Sequence, residues 1–307
     1  MLPVAVLLVI AALAGVAAWR GSTAVERRVS DRRALAQVAG EIREHIPARG
    51  FVDSRLDAEV ATGLALTLAL VVIAAAGVIV SLLALLVRKS EALSDLDAAA
   101  ARWAHEHTSA LGHDILSSIS LLASTEGVIV IGLVAGIIEA IRVPSRWIPV
   151  FLIVVSIGDS VVTNTVKGII DRARPAIDPA AAALGPSFPS GHSSTAAAFY
   201  AALALLAWRR RPARVRNVLA GAAVAIAVAV ACSRVLLDLH WLSDVIGGLA
   251  LGWGWFALCA VIFGGRLLRP TAAVDIATAA ATSDEPTAAN GPRLKRDAGS
   301  RPSSAST

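Results

Sequence analysis

"SRVLLDLHWLSDVIGG" (residues 233–248) sets Arg234, Asp238, His240 and Asp244 at the junction of two apolar runs. An ionisable side chain beside hydrocarbon is costly unless it has a partner or a task. A chain with four of them there calls for an account of both. The flanking runs, 217–233 and 242–263, are each near the ~20 residues that about 30 Å of hydrocarbon requires of a helix.

Working outward, five more apolar runs lie at 2–19, 62–87, 115–141, 147–166 and 194–208. The chain of 307 residues is 56 % hydrophobic with a mean hydropathy of +0.69, more apolar than a single soluble core of that length requires. Backbone polar groups in lipid have to be satisfied internally, and the runs are longer than barrel strands, so they predict helices. The expected fold is therefore all-α, a polytopic transmembrane bundle. Two runs have the least fixed boundaries: 194–208 is short, and 115–141 carries Ser124, Thr125 and Glu126 in its middle. Cys232 and Cys259 lie in apolar runs without the spacing of a zinc site or a disulfide framework, and read as small core residues.

The net charge of +5 does not point to nucleic acid, because the cations sort by side of the membrane. Lys and Arg number 21 in residues 20–61, 142–146, 209–216 and from 264 onward, against 7 in the N-terminus and the alternate loops. The positive-inside rule assigns the first set to the cytoplasm and the N-terminus to the outside. A cleaved signal peptide is the alternative for residues 1–19, but no Lys or Arg precedes that run while Arg20, Arg27 and Arg28 follow it. Trp19, Trp147 and Trp208 fall at inner ends of spans, and Trp103 and Trp241 at outer ones, as two interfacial belts require.

Four segments result: an N-terminal anchor (1–19), a basic cytoplasmic segment (20–61), a membrane domain (62–265) and a disordered cytoplasmic tail (266–307). Within the second, Val25, Val29, Leu35, Val38 and Ile42 recur at near-helical spacing between charges, the pattern of a helix lying on the inner leaflet or of a solvated linker helix. Residues 90–111 read as an outer interfacial helix with Leu93, Leu96 and Trp103 on one side.

Two more polar segments fall on the same outer face as the first. "KGIIDRARP" (167–175) closes the fourth span, and "PSFPSGHSSTAAAF" (186–199) opens the fifth. Lys167, Arg174 and Arg234 supply three cations, a set suited to a multiply charged anion such as phosphate. Ser190 and Gly191 precede a helix start, where free N–H groups and the dipole attract an anion and glycine permits close approach. His240 and Asp244 are four apart, so the carboxylate can accept the Nδ1 proton and leave Nε2 as base or nucleophile. His192, on another segment, can serve as the acid. Zinc is the rival reading, but no short His/Cys pattern exists and three cations would repel it. Asp159, two turns before Lys167, reads as a buried partner for another helix; Glu126 is ambiguous.

At these residues the chain resembles the type 2 phosphatidic acid phosphatase (PAP2) superfamily. Its three-part signature, Lys-x6-Arg-Pro, Pro-Ser-Gly-His and Ser-Arg-x5-His-x3-Asp, is matched in order by Lys167–Pro175, Pro189–His192 and Ser233–Asp244. The resemblance covers roughly residues 60–265, and a seventh span exceeds the six usual in membrane members. It implies His240 as a nucleophile forming a phosphohistidine, Asp244 as its orienting partner, and His192 as proton donor to the leaving group. Lys167, Arg174, Ser190, Gly191 and Arg234 would hold the phosphoryl oxygens. It implies no metal and no cofactor. The implied partner is a lipid phosphate in the plasma membrane: phosphatidate, phosphatidylglycerophosphate or a polyprenyl diphosphate. Asp171, Arg172 and Asp238 occupy motif gaps and stay outside the expected site. A phosphotransferase using the same phosphohistidine, and a non-enzymatic membrane protein with an anion site, are the alternatives.

The orientation is testable. In a background lacking Cys232 and Cys259, an Ala183→Cys variant is expected to react with an impermeant thiol reagent in intact cells; labelling only after lysis reverses the assignment.

Overall fold

The structure is a computed structural model that describes residues 3–6, 9–18, 60–142, 145–176, 181, 183–209 and 211–283. Apart from turns and caps, the described residues are helical. After helical stretches at 3–6 and 9–18 come α1 (Val60–Lys89), α2 (Glu91–His107), α3 (Ala110–Leu121), α4 (Thr125–Arg142), α5 (Trp147–Ile170), α6 (Gly191–Ala207), α7 (Ala213–Leu236) and α8 (Leu242–Ser283).

Seven spans were expected. Among the described residues, four helices are long and apolar enough to cross a membrane: Ala65–Lys89, Trp147–Ile170, Ala213–Leu236 and Leu242–Leu267. The run at 115–141 is not one straight helix but the pair α3 and α4, bent by 50°, and counts as a fifth span. The break follows from the polar residues inside that run. Ser124 Oγ accepts from the Gly127 amide (3.0 Å) and so caps the start of α4. Tyr200 of α6 donates to the carbonyl of Leu122 (2.8 Å), satisfying a backbone group that the bend frees. The two remaining runs, Pro3–Ala18 and α6, are shorter than a full span.

Helix α6 is nevertheless the centre of the bundle. Ala196, Ala197, Ala198, Phe199, Ala202, Ala204 and Leu206 are all buried, on every side of the helix. A helix apolar all round belongs inside, and its alanines let neighbouring backbones approach closely. Phe151 and Val155 of α5, Ala227 and Val230 of α7, and Cys259 and Phe263 of α8 complete this core. Conversely, Leu68, Val71, Val78, Leu82 and Leu85 of α1, and Val130, Leu133, Ile137 and Ile141 of α4, are exposed. An exterior this apolar suits lipid rather than water; the chain is a multi-pass membrane protein.

The helices alternate in direction, which fixes what meets at each end. At one end, Arg88 in the last turn of α1 donates to the carbonyl oxygens of Ile169 and Ile170 at the end of α5 (2.8 and 3.3 Å). At the other, buried Arg209 after α6 reaches Glu139 of α4 (3.3 Å) and the carbonyl of Leu267 in α8 (3.4 Å). The N-terminal stretch follows the same alternation. Val4 packs with Ala104, Leu116, Leu236 and Leu237 near the end of α7, while a Cβ on Gly15 would lie 2.9 Å from the Gly221 carbonyl near its start.

Two expectations need correction. In α2 the buried side is Asp97, Ala101 and Ala104, whereas Leu96 and Trp103 point outward; this helix grips the bundle through a carboxylate and two alanines. Second, the compact unit ends at Arg269, but the backbone of α8 is helical to Ser283 instead of turning irregular at 266. That stretch is rich in alanine, the strongest helix former. Trp19, the basic segment 20–59 and the tail from 284 lie outside the described residues.

Glycines set the distance between α8 and α6. A Cβ on Gly252 would lie 2.9 Å from Ala197 Cβ and would also collide with the Ser194 backbone, whereas nothing stands within 4 Å of one on Gly264. Gly252→Leu is therefore expected to lower stability by about 1–3 kcal/mol or more through overpacking. Gly264→Ala is expected to be neutral or stabilising by up to about 1 kcal/mol. Thermal unfolding of the detergent-solubilised protein measures both.

Candidate active site

The eight expected site residues lie at the same end of the bundle. Lys167 stands in the last turn of α5 and Arg174 in the loop after it. Ser190 caps α6, with Gly191 and His192 in its first turn. Arg234 is in the last turn of α7, His240 in the connection to α8, and Asp244 in the first turn of α8.

The loop from α5 folds inward to reach the start of the short α6. Ser187, Phe188 and Ser190 are fully buried. Ser187 is held by its amide to the Arg172 carbonyl (2.8 Å) and by its hydroxyl to the Ala173 carbonyl (3.1 Å). A cis peptide joins Phe188 to Pro189. Ser190 accepts from the Ser193 amide and hydroxyl (3.5 and 3.0 Å), an N-cap of the kind serine favours. Its own amide donates to the backbone carbonyl of Asp244 (2.9 Å), which ties the starts of α6 and α8 together. The contact leaves no room for a side chain: a Cβ on Gly248 would sit 2.5 Å from the Ser190 carbonyl oxygen.

His240 is placed by the turn after α7. Asp238 adopts the left-handed conformation (φ 58°), and the amides of Leu239 and His240 both donate to the Arg234 carbonyl (3.2 Å each). Asp238 also accepts from His105 of α2 (2.9 Å). The ring Nδ1 of His240 is 3.4 Å from Asp244 Oδ2, which also accepts from the Trp241 amide (3.0 Å). On the other side of the ring, Nε2 is 3.3 Å from a terminal nitrogen of Arg174. Burial pushes the imidazole down to about 4, against the upward pull of Asp244. At neutral pH it is therefore uncharged, the form in which a ring nitrogen has a free lone pair.

Lys167, Arg174, Arg234 and His240 all lie within electrostatic reach of His192. Arg174 also donates to the carbonyls of Leu239 (2.7 Å) and Gly185 (2.9 Å), and Lys167 to that of Pro186 (2.6 Å). Arg234 donates to Ser120 of α3 (2.6 Å), while its Nε is buried without a hydrogen-bond partner. Such a donor costs about 1–3 kcal/mol unless something accepts from it. Three cations, a helix N-terminus and an unmatched guanidinium N–H form a setting for an oxyanion. Asp159 accepts from Ser194 (2.5 Å) and Thr195 (3.1 Å) of α6, as befits a structural partner beneath this group.

The sequence reading passed over three participants. Arg172, in a motif gap, donates to Asp244 Oδ1, Ser243 Oγ and Asp97 Oδ2, each at 2.7 Å. Asp97 also accepts from the Ser243 amide (2.9 Å) and hydroxyl (2.5 Å). A signal for Asp97 was present: it heads the small face Asp97, Ala101, Ala104, spaced four and three residues apart, which is how a helix meets a close neighbour.

Residues 148–267, which contain all eight expected site residues, match the PAP2 superfamily model. A lipid A 1-phosphatase from Rhizobium etli is 38 % identical over 126 residues, covering 38 % of this chain and 50 % of the relative. Phosphatidylglycerophosphatase B from Bacillus subtilis is 34 % identical over 108 residues, covering 34 % and 53 %. The chain thus spans about half the length of the curated relatives it matches. A crystal structure of a transmembrane PAP2-type phosphatidylglycerolphosphate phosphatase from Bacillus subtilis superposes with a TM-score of 0.58 at 25 % identity, covering 62 % of this chain and 94 % of that one. The motif residues are gathered at one end of a helical bundle similar to that of a PAP2-type phosphatase, and residues 148–267 of this chain are similar to the PAP2 superfamily.

Proposed function

We propose that this chain is a membrane lipid phosphate phosphatase working through a phosphohistidine on His240. The observation that carries the reading is His240 itself: a buried neutral imidazole with Asp244 behind Nδ1, Arg174 beside Nε2, and Arg234 and His192 within electrostatic reach.

In the first step Nε2 of His240 attacks the phosphorus, the bond to the lipid oxygen breaks, and His192 supplies the proton that oxygen needs. Asp244 holds the Nδ1 proton, so the positive charge that grows on the ring faces a carboxylate. In the second step His192 takes a proton from water, the water oxygen attacks phosphorus, and the P–N bond breaks to release phosphate and restore His240. Lys167, Arg174, Arg234 and the Gly191 N–H, at the helix start that Ser190 caps, stabilise the oxyanion in both steps; preorganised donors of this kind supply a large share of many enzymatic rates.

A site at the end of an apolar bundle suits a substrate whose phosphate lies at the headgroup plane. The relatives' names indicate lipid A 1-phosphate and phosphatidylglycerophosphate as substrate types for those proteins. For this chain the class is a lipid phosphomonoester or diphosphate. Loop charges support a site on the extracytoplasmic face and a tail in the cytoplasm.

Purified protein in detergent, given phosphatidate, phosphatidylglycerophosphate, lipid A 1-phosphate or polyprenyl diphosphate with and without chelator, is expected to release phosphate from at least one without an added acceptor alcohol. His240→Ala is expected to lower release on the order of 10³-fold or more, as loss of a nucleophile does, while keeping the thermal stability of the parent. Wild-type rates from His240→Ala would remove the mechanism, and release only with an acceptor would make the protein a phosphotransferase.

A further inference from the structure

Arg172 lies outside the family signature, yet it is the cation that bridges the buried carboxylates Asp97 and Asp244. One terminal nitrogen reaches Asp244 Oδ1 and Ser243 Oγ and the other reaches Asp97 Oδ2, all at 2.7 Å. Its guanidinium also stacks over the Trp241 ring at 5.3 Å, and that ring is itself pinned by its indole N–H to the Ala173 carbonyl (2.8 Å). Neither carboxylate is accessible: Asp97 is 1 % and Asp244 0 % exposed. Buried ions are retained only where geometry and further hydrogen bonds compensate their desolvation, and here each is compensated by the others. Two carboxylates meet one guanidinium here, and the oxygen of Asp244 that Arg172 does not bind, Oδ2, is the one that faces His240.

This arrangement has a direction. If Arg172 were bonded to Asp244 alone, the two would form a neutral pair and little charge would be left to balance an imidazolium. Asp97 shares the guanidinium, so Asp244 Oδ2 keeps its pull on the His240 ring. At the same time the fork of Arg172 fixes the carboxylate plane, which sets the orientation of Oδ2 toward Nδ1. We propose that Arg172, locked by Asp97 of α2, is a positioning residue that acts through Asp244 to hold His240 in its Nδ1-protonated tautomer. Helix α2, outside the region that matches the superfamily, is then part of the catalytic scaffold. In terms of rate, the inference rests on the phosphohistidine reading; in terms of the histidine's tautomer it does not.

The experiment therefore has two arms on the full-length protein in detergent. Kinetically, Arg172→Gln and Asp97→Asn are each expected to lower kcat roughly 10- to 100-fold, the range in which outer partners of a functional histidine act, with KM changed by less than about threefold. Because Asp97 acts through Arg172, the double variant is expected to be no slower than Arg172→Gln alone. Spectroscopically, ¹⁵N-histidine NMR, with the His240 signal assigned from His240→Asn, is expected to show the Nδ1–H tautomer in the parent and a mixture in both single variants. If Arg172→Gln does not fold, because it strands two buried carboxylates, Asp97→Asn carries both arms, since it leaves the Arg172–Asp244 pair intact. A kcat loss with an unchanged His240 tautomer would make the network merely structural and overturn the inference, as would Asp97→Asn with wild-type kcat and tautomer. Should the parent release no phosphate from any lipid, the proposed function falls, and the tautomer arm still decides this point.

Discussion

Asp244 is the residue through which the rest of the site is tied. Its side chain accepts from His240, from the Trp241 amide and from Arg172, and its backbone carbonyl accepts from the amide of Ser190. One residue in the first turn of α8 thus fixes the proposed nucleophile, the turn that presents it and the N-terminus of α6. A carboxylate that is fully buried needs all of its lone pairs answered; the geometry of the site follows from how they are answered.

Burial of charge in a lipid-exposed bundle governs the architecture more widely. Ionised groups lie at both ends of the helices, and each end meets the cost differently. Away from the site, Glu139 is shared between Arg209 and Arg142, and Arg209 also donates to the carbonyls of Leu206 and Leu267, so the cluster closes on itself. At the site end the cations exceed what the protein satisfies: Arg234 Nε has no partner, and Lys167 and Arg174 lean on backbone carbonyls. The first arrangement holds helices together. The second is a surplus of donors, which supports the proposal of an oxyanion at this end rather than the other.

Much of this was legible from the residues in order. Apolar runs gave helices because lipid leaves the backbone no other partner, and the alternation of those runs put the three polar segments at one end. The pairing of His240 with Asp244 followed from a four-residue spacing, and the structural role of Asp159 from its depth. Less legible were the break at Leu122–Ser124, where a serine cap and a tyrosine from another helix overrule hydrophobicity, and the inward face of α2, where small size and one carboxylate outweigh Leu96 and Trp103. The helix that continues to Ser283 is a local propensity that a count of charges and prolines masked.

The sequence by itself determined that this chain is a helical membrane protein, which of its residues form the polar end, and the family that they resemble. Those conclusions rest on local periodicity, on charge asymmetry and on motif spacing, all carried by neighbours along the chain. Only the tertiary structure decided that Arg172 reaches both Asp97 and Asp244, that Arg234 is held by Ser120, and that Ser190 is bonded to the backbone of Asp244. These are contacts between helices far apart in sequence, set by how closely glycines and alanines let the helices pack. No one-dimensional spacing encodes which buried donor will meet which buried acceptor.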